Sequence, residues 1–147
     1  MVQWTREGIE YEADQRHAEI IVKEMGLEEG SRSLAAPGRK EGNEDDTLLE
    51  PKEASKYRAL VARGNYLGQD RSDIQFTIKE LSRTMGTPTQ GGWNRLKRFS
   101  RYLLDKTRVV TKYVYQEEPT RITAYSDSDF AGCASTRKST SGGLILY

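Results

Sequence analysis

Asp127 and Asp129 stand two residues apart in Tyr125-Ser126-Asp127-Ser128-Asp129. In an extended chain that spacing turns both carboxylates to one face. Paired carboxylates with no adjacent base are hard oxygen donors and suit a divalent cation such as Mg²⁺. The competing reading is a strand-end Asp that closes a turn through its side-chain oxygen. Residue type alone favours the turn.

A second constellation is basic. Arg95, Lys97, Arg98, Arg101 and Lys106 crowd one predicted helix, Arg108 lies just beyond it, and only Asp105 offsets them. Such a face can track a nucleic-acid backbone through phosphate contacts. It can equally be the solvated side of an amphipathic helix. Trp93, Phe99 and Tyr102 are interleaved, but their spacing follows the apolar stripe, which points to core packing rather than base stacking. Other reactive side chains lack companions. His17 has no ligand-spaced neighbours, Cys133 has no base beside it, and Ser139, Thr140 and Ser141 do not form a phosphate loop.

The elements that must carry these residues are legible from patterning. Val2 to Glu12 reads as a hairpin turning at Glu7-Gly8. Asp14 and Gly26 bracket a helix whose inward stripe is Ala18, Ile21, Val22 and Met25. A helix begins near Pro51, with Tyr57, Leu60, Val61 and Leu67 inward. Another spans about Ser72 to Met85 with Ile74, Ile78, Leu81 and Met85 on one face, and Asp73 near its positive end. The basic helix runs from about Gln90 to Lys106, with Trp93, Leu96, Phe99 or Ser100, and Leu103 inward. Strands follow at Val109 to Tyr115, Ile122 to Asp127 and Gly142 to Tyr147. Glu28 to Thr47 lacks periodicity and reads as a loop or linker.

The whole implies an α+β fold: an N-terminal hairpin and helix, a central three-helix region, and a C-terminal incomplete β-sheet. By length, the 147 residues could be one domain. A net charge of +1 hides an asymmetry. Residues 1–48 carry 6 Lys/Arg against 12 Asp/Glu, and residues 49–147 carry 17 against 10. The basic part is compatible with a polyanionic partner. The single cysteine excludes an intrachain disulfide and a cysteine-built zinc site. No apolar run is long enough to span a membrane and no secretory leader is visible, so an intracellular site, cytoplasmic or nuclear, is expected. Oligomeric state is not encoded legibly.

The C-terminal motifs resemble the start of the RNase H domain in copia-type retrotransposon Pol polyproteins. Tyr125, Ser126, Asp127, Asp129, Ala131 and Gly132 match its Tyr-Ser-Asp-x-Asp-Trp-Ala-Gly-Asp pattern, and Arg137 to Gly142 match its Arg-Lys-Ser-Thr-Ser-Gly. Phe130, Cys133 and Gly143 depart from it. Upstream, Tyr57-Arg-Ala-Leu-Val61, Asn65-Tyr-Leu67, Asp70-Arg-Ser-Asp-Ile74, Leu81-Ser-Arg, Met85, Pro88, Trp93 and Leu96 to Leu103 follow the same family, with Ser72 in place of Pro.

The resemblance implies four regions. Residues 1–26 would be a remnant of the reverse-transcriptase palm and thumb. Residues 27–48 would be a flexible acidic linker, 49–108 a helical connection, and 109–147 the truncated start of an RNase H-like domain. It assigns Asp127, and with it Asp129, to a Mg²⁺-binding catalytic position. In such sites two ions clamp the scissile phosphate and generate the attacking hydroxide. The family's other carboxylates have no counterpart among these residues, so Mg²⁺ is expected only in the full-length parent, and this fragment is expected to be inactive. The parent's partner would be an RNA–DNA hybrid or duplex, with no membrane. The alternatives are a domesticated or residual nucleic-acid-binding module without catalysis, and a decayed, non-functional gene product.

Overall fold

The computed structural model describes residues 1–28, 30–38, 45–118, 120–133 and 136–146. Backbone contacts divide it into two units, 1–113 and 114–147. The elements confirm the α+β class.

In the first unit, strands β1 (Val2–Trp4) and β2 (Gly8–Glu12) form an antiparallel hairpin with Val2 opposite Tyr11 and Trp4 opposite Ile9. Thr5 closes the turn, since its Oγ1 accepts the Gly8 N–H at 3.1 Å. Strand β3 (Val110–Val114) extends this sheet in the order β1-β2-β3. The sequence pattern grouped that run with the strands after it. The ion pair of Arg108 with Glu12 (2.8 Å), and that of Lys112 with Glu7, tie it instead to the hairpin.

Helix α1 (Arg16–Glu24) starts where the Asp14 carboxylate accepts the Arg16 N–H at 3.0 Å. It ends in a left-handed Gly26 at φ +68°. Leu27 N–H then reaches the Val22 carbonyl and Gly26 N–H that of Lys23, which satisfies two orphan acceptors. Helix α2 (Pro51–Gly68) uses Pro51 in its first turn. Helix α3 (Gln75–Arg83) is shorter than its periodicity predicts. Residues 72–74 are drawn into a turn because Asp73 bonds Arg71 rather than opening the helix. Helix α4 (Gln90–Asp105) is capped by Thr89, whose Oγ1 accepts the Gly92 N–H at 3.2 Å.

The core is the meeting of these four helices. Ala18 and Ile21 of α1, Tyr57, Leu60, Val61 and Leu67 of α2, Ile78 and Leu81 of α3, and Leu96, Phe99 and Leu103 of α4 are buried together, with Ile74 from the turn before α3. Gly64 permits the closest crossing: a Cβ there would lie 2.3 Å from Ile78 Cδ1. Both Phe99 and Ser100 turn inward, and Ser100 Oγ donates to the Leu96 carbonyl at 2.8 Å, so its hydroxyl is satisfied within the helix.

The second unit is an antiparallel pair, β4 (Thr123–Ser128) and β5 (Ser141–Leu146), registered with Tyr125 opposite Leu144 and Asp127 opposite Gly142. Every residue of the pair but half-buried Thr123 is exposed, and Phe130 beyond it is 94% exposed. Two strands alone bury too little surface to be more than marginally stable.

Candidate carboxylate pair and arginine face

The β4–β5 register places Asp127 on an exposed strand opposite Gly142. Asp129 falls one residue past β4. Its backbone N–H donates to the Thr140 carbonyl at 3.1 Å, and its carboxylate accepts the Thr140 N–H at 2.5 Å. The other carboxylate oxygen lies against Gly132, where a Cβ would meet it at 2.2 Å. Ala131 and Arg137 both adopt left-handed φ near the mouth of this turn, and Ala131 N–H bonds Ser139 Oγ at 3.1 Å. Asp129 therefore knits the connection between the strands, while Asp127 faces solvent. Cys133 is buried at the base of the same loop, where Arg137 N–H bonds its carbonyl.

Magnesium takes about six oxygen ligands in near-octahedral geometry. Among the described residues no group of three or more His, Cys, Asp or Glu side chains comes together. Asp127 and a turn-bonded Asp129 do not by themselves supply that shell.

The basic residues divide into two sets. Lys97 and Lys106 are exposed; Arg95, Arg98 and Arg101, at i, i+3 and i+6, are half-buried. The cause lies in the stretch before α2. Arg98 Nε donates to the Gly38 carbonyl at 3.1 Å, and Leu34 N–H donates to the Arg101 carbonyl at 3.3 Å. Pro37 and Gly38 line a small recess together with Phe76, Glu80, Arg95 and Arg98. Farther along, Gly91 N–H bonds the Asp45 carbonyl and Gln90 N–H that of Thr47, both at 2.8 Å. Both described ends of the stretch predicted to be a linker thus run beside α4 in the opposite direction. Residues 39–44, including Glu44 of the acidic cluster, lie outside the described residues. Arg108 is committed to Glu12. Of the aromatics, Phe99 and Tyr102 are buried and Trp93 packs at the core margin.

One polar cluster has no signal in sequence patterning beyond its charges. Arg71, 2% exposed, grips Asp73 through Nε–Oδ1 (2.8 Å) and Nη2–Oδ2 (2.6 Å), and its Nη1 donates to the Lys106 carbonyl at 2.9 Å. Tyr102 Oη donates to Asp73 Oδ2 at 2.7 Å. Tyr11 Oη donates to neighbouring Asp70. Burial opposes ionisation of Asp73, but the Arg71 and Tyr102 hydrogen bonds outweigh it and hold the carboxyl below its ordinary pKa. The cluster fixes the C-terminal end of α4 to the turn before α3, and so sets where the basic helix points. His17 takes a structural place, its ring 4.7 Å from that of Tyr66.

No helix among the described residues is long and apolar enough to cross a membrane. No family model matches the chain, and no solved structure matches it. Curated relatives do. An uncharacterized mitochondrial protein of Arabidopsis thaliana, AtMg00810, is 29% identical over 127 residues, covering 86% of this chain and 52% of its own length. The retrovirus-related Pol polyproteins from Arabidopsis transposons RE2 and RE1 are 34% and 33% identical over 91 residues. That match covers 62% of this chain and 6% of each polyprotein. The chain therefore spans about half the length of one curated relative and a small fraction of the others. It is homologous to a segment of retrotransposon Pol polyproteins.

Proposed function

We propose that the chain is the piece of a copia-type Pol polyprotein that joins the reverse transcriptase to the RNase H domain, and that its α4 holds the nucleic-acid backbone there. The parent would couple RNA-directed DNA synthesis to hydrolysis of RNA in an RNA–DNA hybrid. The observation that carries this reading is the sequence shared with the two Pol polyproteins. The motifs around Tyr57, Asp70 to Ile74 and Asp127 support its finer placement. In that setting Asp127 is an inherited metal-ligand position, and Mg²⁺ would supply the charge that activates water and stabilises the leaving oxygen. Within this chain Asp127 holds its carboxylate in solvent, and Asp129 shapes the turn that presents it. Isolated, the chain should neither polymerise nor hydrolyse. Calorimetry should show Mg²⁺ binding weakly or not at all, and tight binding of two ions would refute the assignment.

The nucleic-acid role is supported by the exposed Lys97 on α4, a helix otherwise anchored in the core, and the exposed Lys106 just past its end. Each phosphate neutralised contributes about −0.9 to the log–log slope of affinity against salt. Replacing Lys97 and Lys106 by Gln should flatten the slope for an RNA–DNA hybrid by about 1.8. A salt-insensitive parent chain would leave α4 as a solvated face only. Retained binding without catalysis would equally serve a domesticated module, which flanking coding sequence distinguishes from a polyprotein segment.

A further inference from the structure

We propose that residues 31–38 are an internal strap that competes with nucleic-acid phosphate for the arginine face of α4; this rests on the nucleic-acid role proposed above. The three arginines best spaced to follow a backbone are the ones the strap covers. Gly38 offers its carbonyl to Arg98, and Leu34 takes the carbonyl of Arg101. Arg101 Nε is buried with no hydrogen-bond partner among the described residues, a cost that contact with a phosphate oxygen would relieve. The strap is held closely yet lightly. A Cβ on Gly38 would meet Thr77 Oγ1 at 2.9 Å, so glycine is what allows the chain this near α3. No strap residue belongs to the buried core, and all of 31–38 are half-buried or exposed. The segment that follows, residues 39–46, carries Glu41, Glu44, Asp45 and Asp46 against Arg39 and Lys40, a net charge of −2, so the strap's own continuation shares the sign of the ligand it would displace. A carbonyl accepting from a guanidinium is a neutral stand-in for a phosphate oxygen, and the charged acceptor is the stronger one.

The test is a chain carrying Leu34→Pro and Gly38→Val. Proline has no N–H for the Arg101 carbonyl, and valine crowds Thr77. Binding of a short RNA–DNA hybrid is followed by fluorescence anisotropy over a salt series. The double variant should bind about tenfold tighter at low salt, because the competent state no longer has to be selected. Its log–log salt slope should steepen by up to about 1.8, for two more phosphates engaged. If the parent chain binds the hybrid and the variant binds identically, the strap is refuted while the nucleic-acid role stands. If neither binds, both fall. If only the variant binds, the strap is established as a full block. A second measurement needs no variant: Leu34 amide exchange in the parent chain should accelerate when hybrid is added. Unchanged protection in the hybrid-bound chain would overturn the proposal.

Discussion

Replacing Asp73 by Asn should destabilise the first unit by about 3 kcal/mol, and by more than replacing Arg71 with Met. Counting bonds does not rank the two. Arg71 donates three, two to Asp73 and one to the Lys106 carbonyl, and Asp73 accepts three, two from Arg71 and one from Tyr102. Burial decides the order. Arg71 is 2% exposed and Asp73 30%. Asp73→Asn strands a guanidinium that water cannot reach, and an uncompensated buried charge costs roughly 3–5 kcal/mol. The surviving Lys106 bond and one amide contact place the value near the lower bound. Arg71→Met leaves a carboxylate that can hydrate and still accepts from Tyr102. Its cost is the orphaned Lys106 carbonyl and the lost charge-assisted bonds, about 2 kcal/mol.

Urea unfolding of the two single variants and the double variant at neutral pH measures all three terms. The double variant should cost less than the sum of the singles by at least about 1 kcal/mol, because the two residues share one interaction. The pH dependence has a fixed sign. The folded Asp73 pKa lies below its unfolded value of about 3.9. Its stabilisation is present above that value and lost as pH falls through the lower folded pKa. Asp73→Asn should remove this part of the acid limb. A cost under about 1 kcal/mol, or one smaller than that of Arg71→Met, would refute the burial argument.

Other outcomes follow from single contacts. Gly64→Ala puts a methyl into Ile78 Cδ1 and should cost about 1–3 kcal/mol by overpacking, read as a lower urea midpoint. Gly26→Ala should cost about 1 kcal/mol, since its φ of +68° disfavours an L side chain although nothing crowds the site. Asp14, held to about 2 by the Arg16 side-chain and backbone bonds, should show its NMR titration midpoint there; Arg16→Ala should move that midpoint up toward the ordinary carboxylate range. Amides of β4 and β5 should exchange far faster than those of α2 and α4. Equal protection would mean that the exposed pair is covered in solution.

Much of this protein is local and was therefore legible. Caps and breakers act within a few residues, so Gly26 and Pro51 mark helix ends that the structure keeps, and Asp14 stands one residue before the N-cap, Gln15. Helical periodicity reports which side of a helix is apolar, and Tyr57, Leu60, Val61, Leu67, Ile74, Ile78, Leu81, Leu96, Phe99 and Leu103 are all buried as their spacing requires. The i, i+2 spacing of Asp127 and Asp129 was visible, but not that the strand ends between them and leaves Asp129 bonded to Thr140. Periodicity names a face without naming what covers it. Only the tertiary structure lays residues 31–38 along the arginines of α4. Only it attaches Val110–Val114 to the hairpin more than a hundred residues earlier in the sequence, and closes Arg71, Asp73 and Tyr102 into one cluster. The reason is common to all three. Backbone groups on an edge or in a turn, and long charged side chains, are satisfied by any partner of the right sign or polarity. Their partner is chosen by which elements the buried core has already brought together, and that is a property of the whole chain rather than of a window within it.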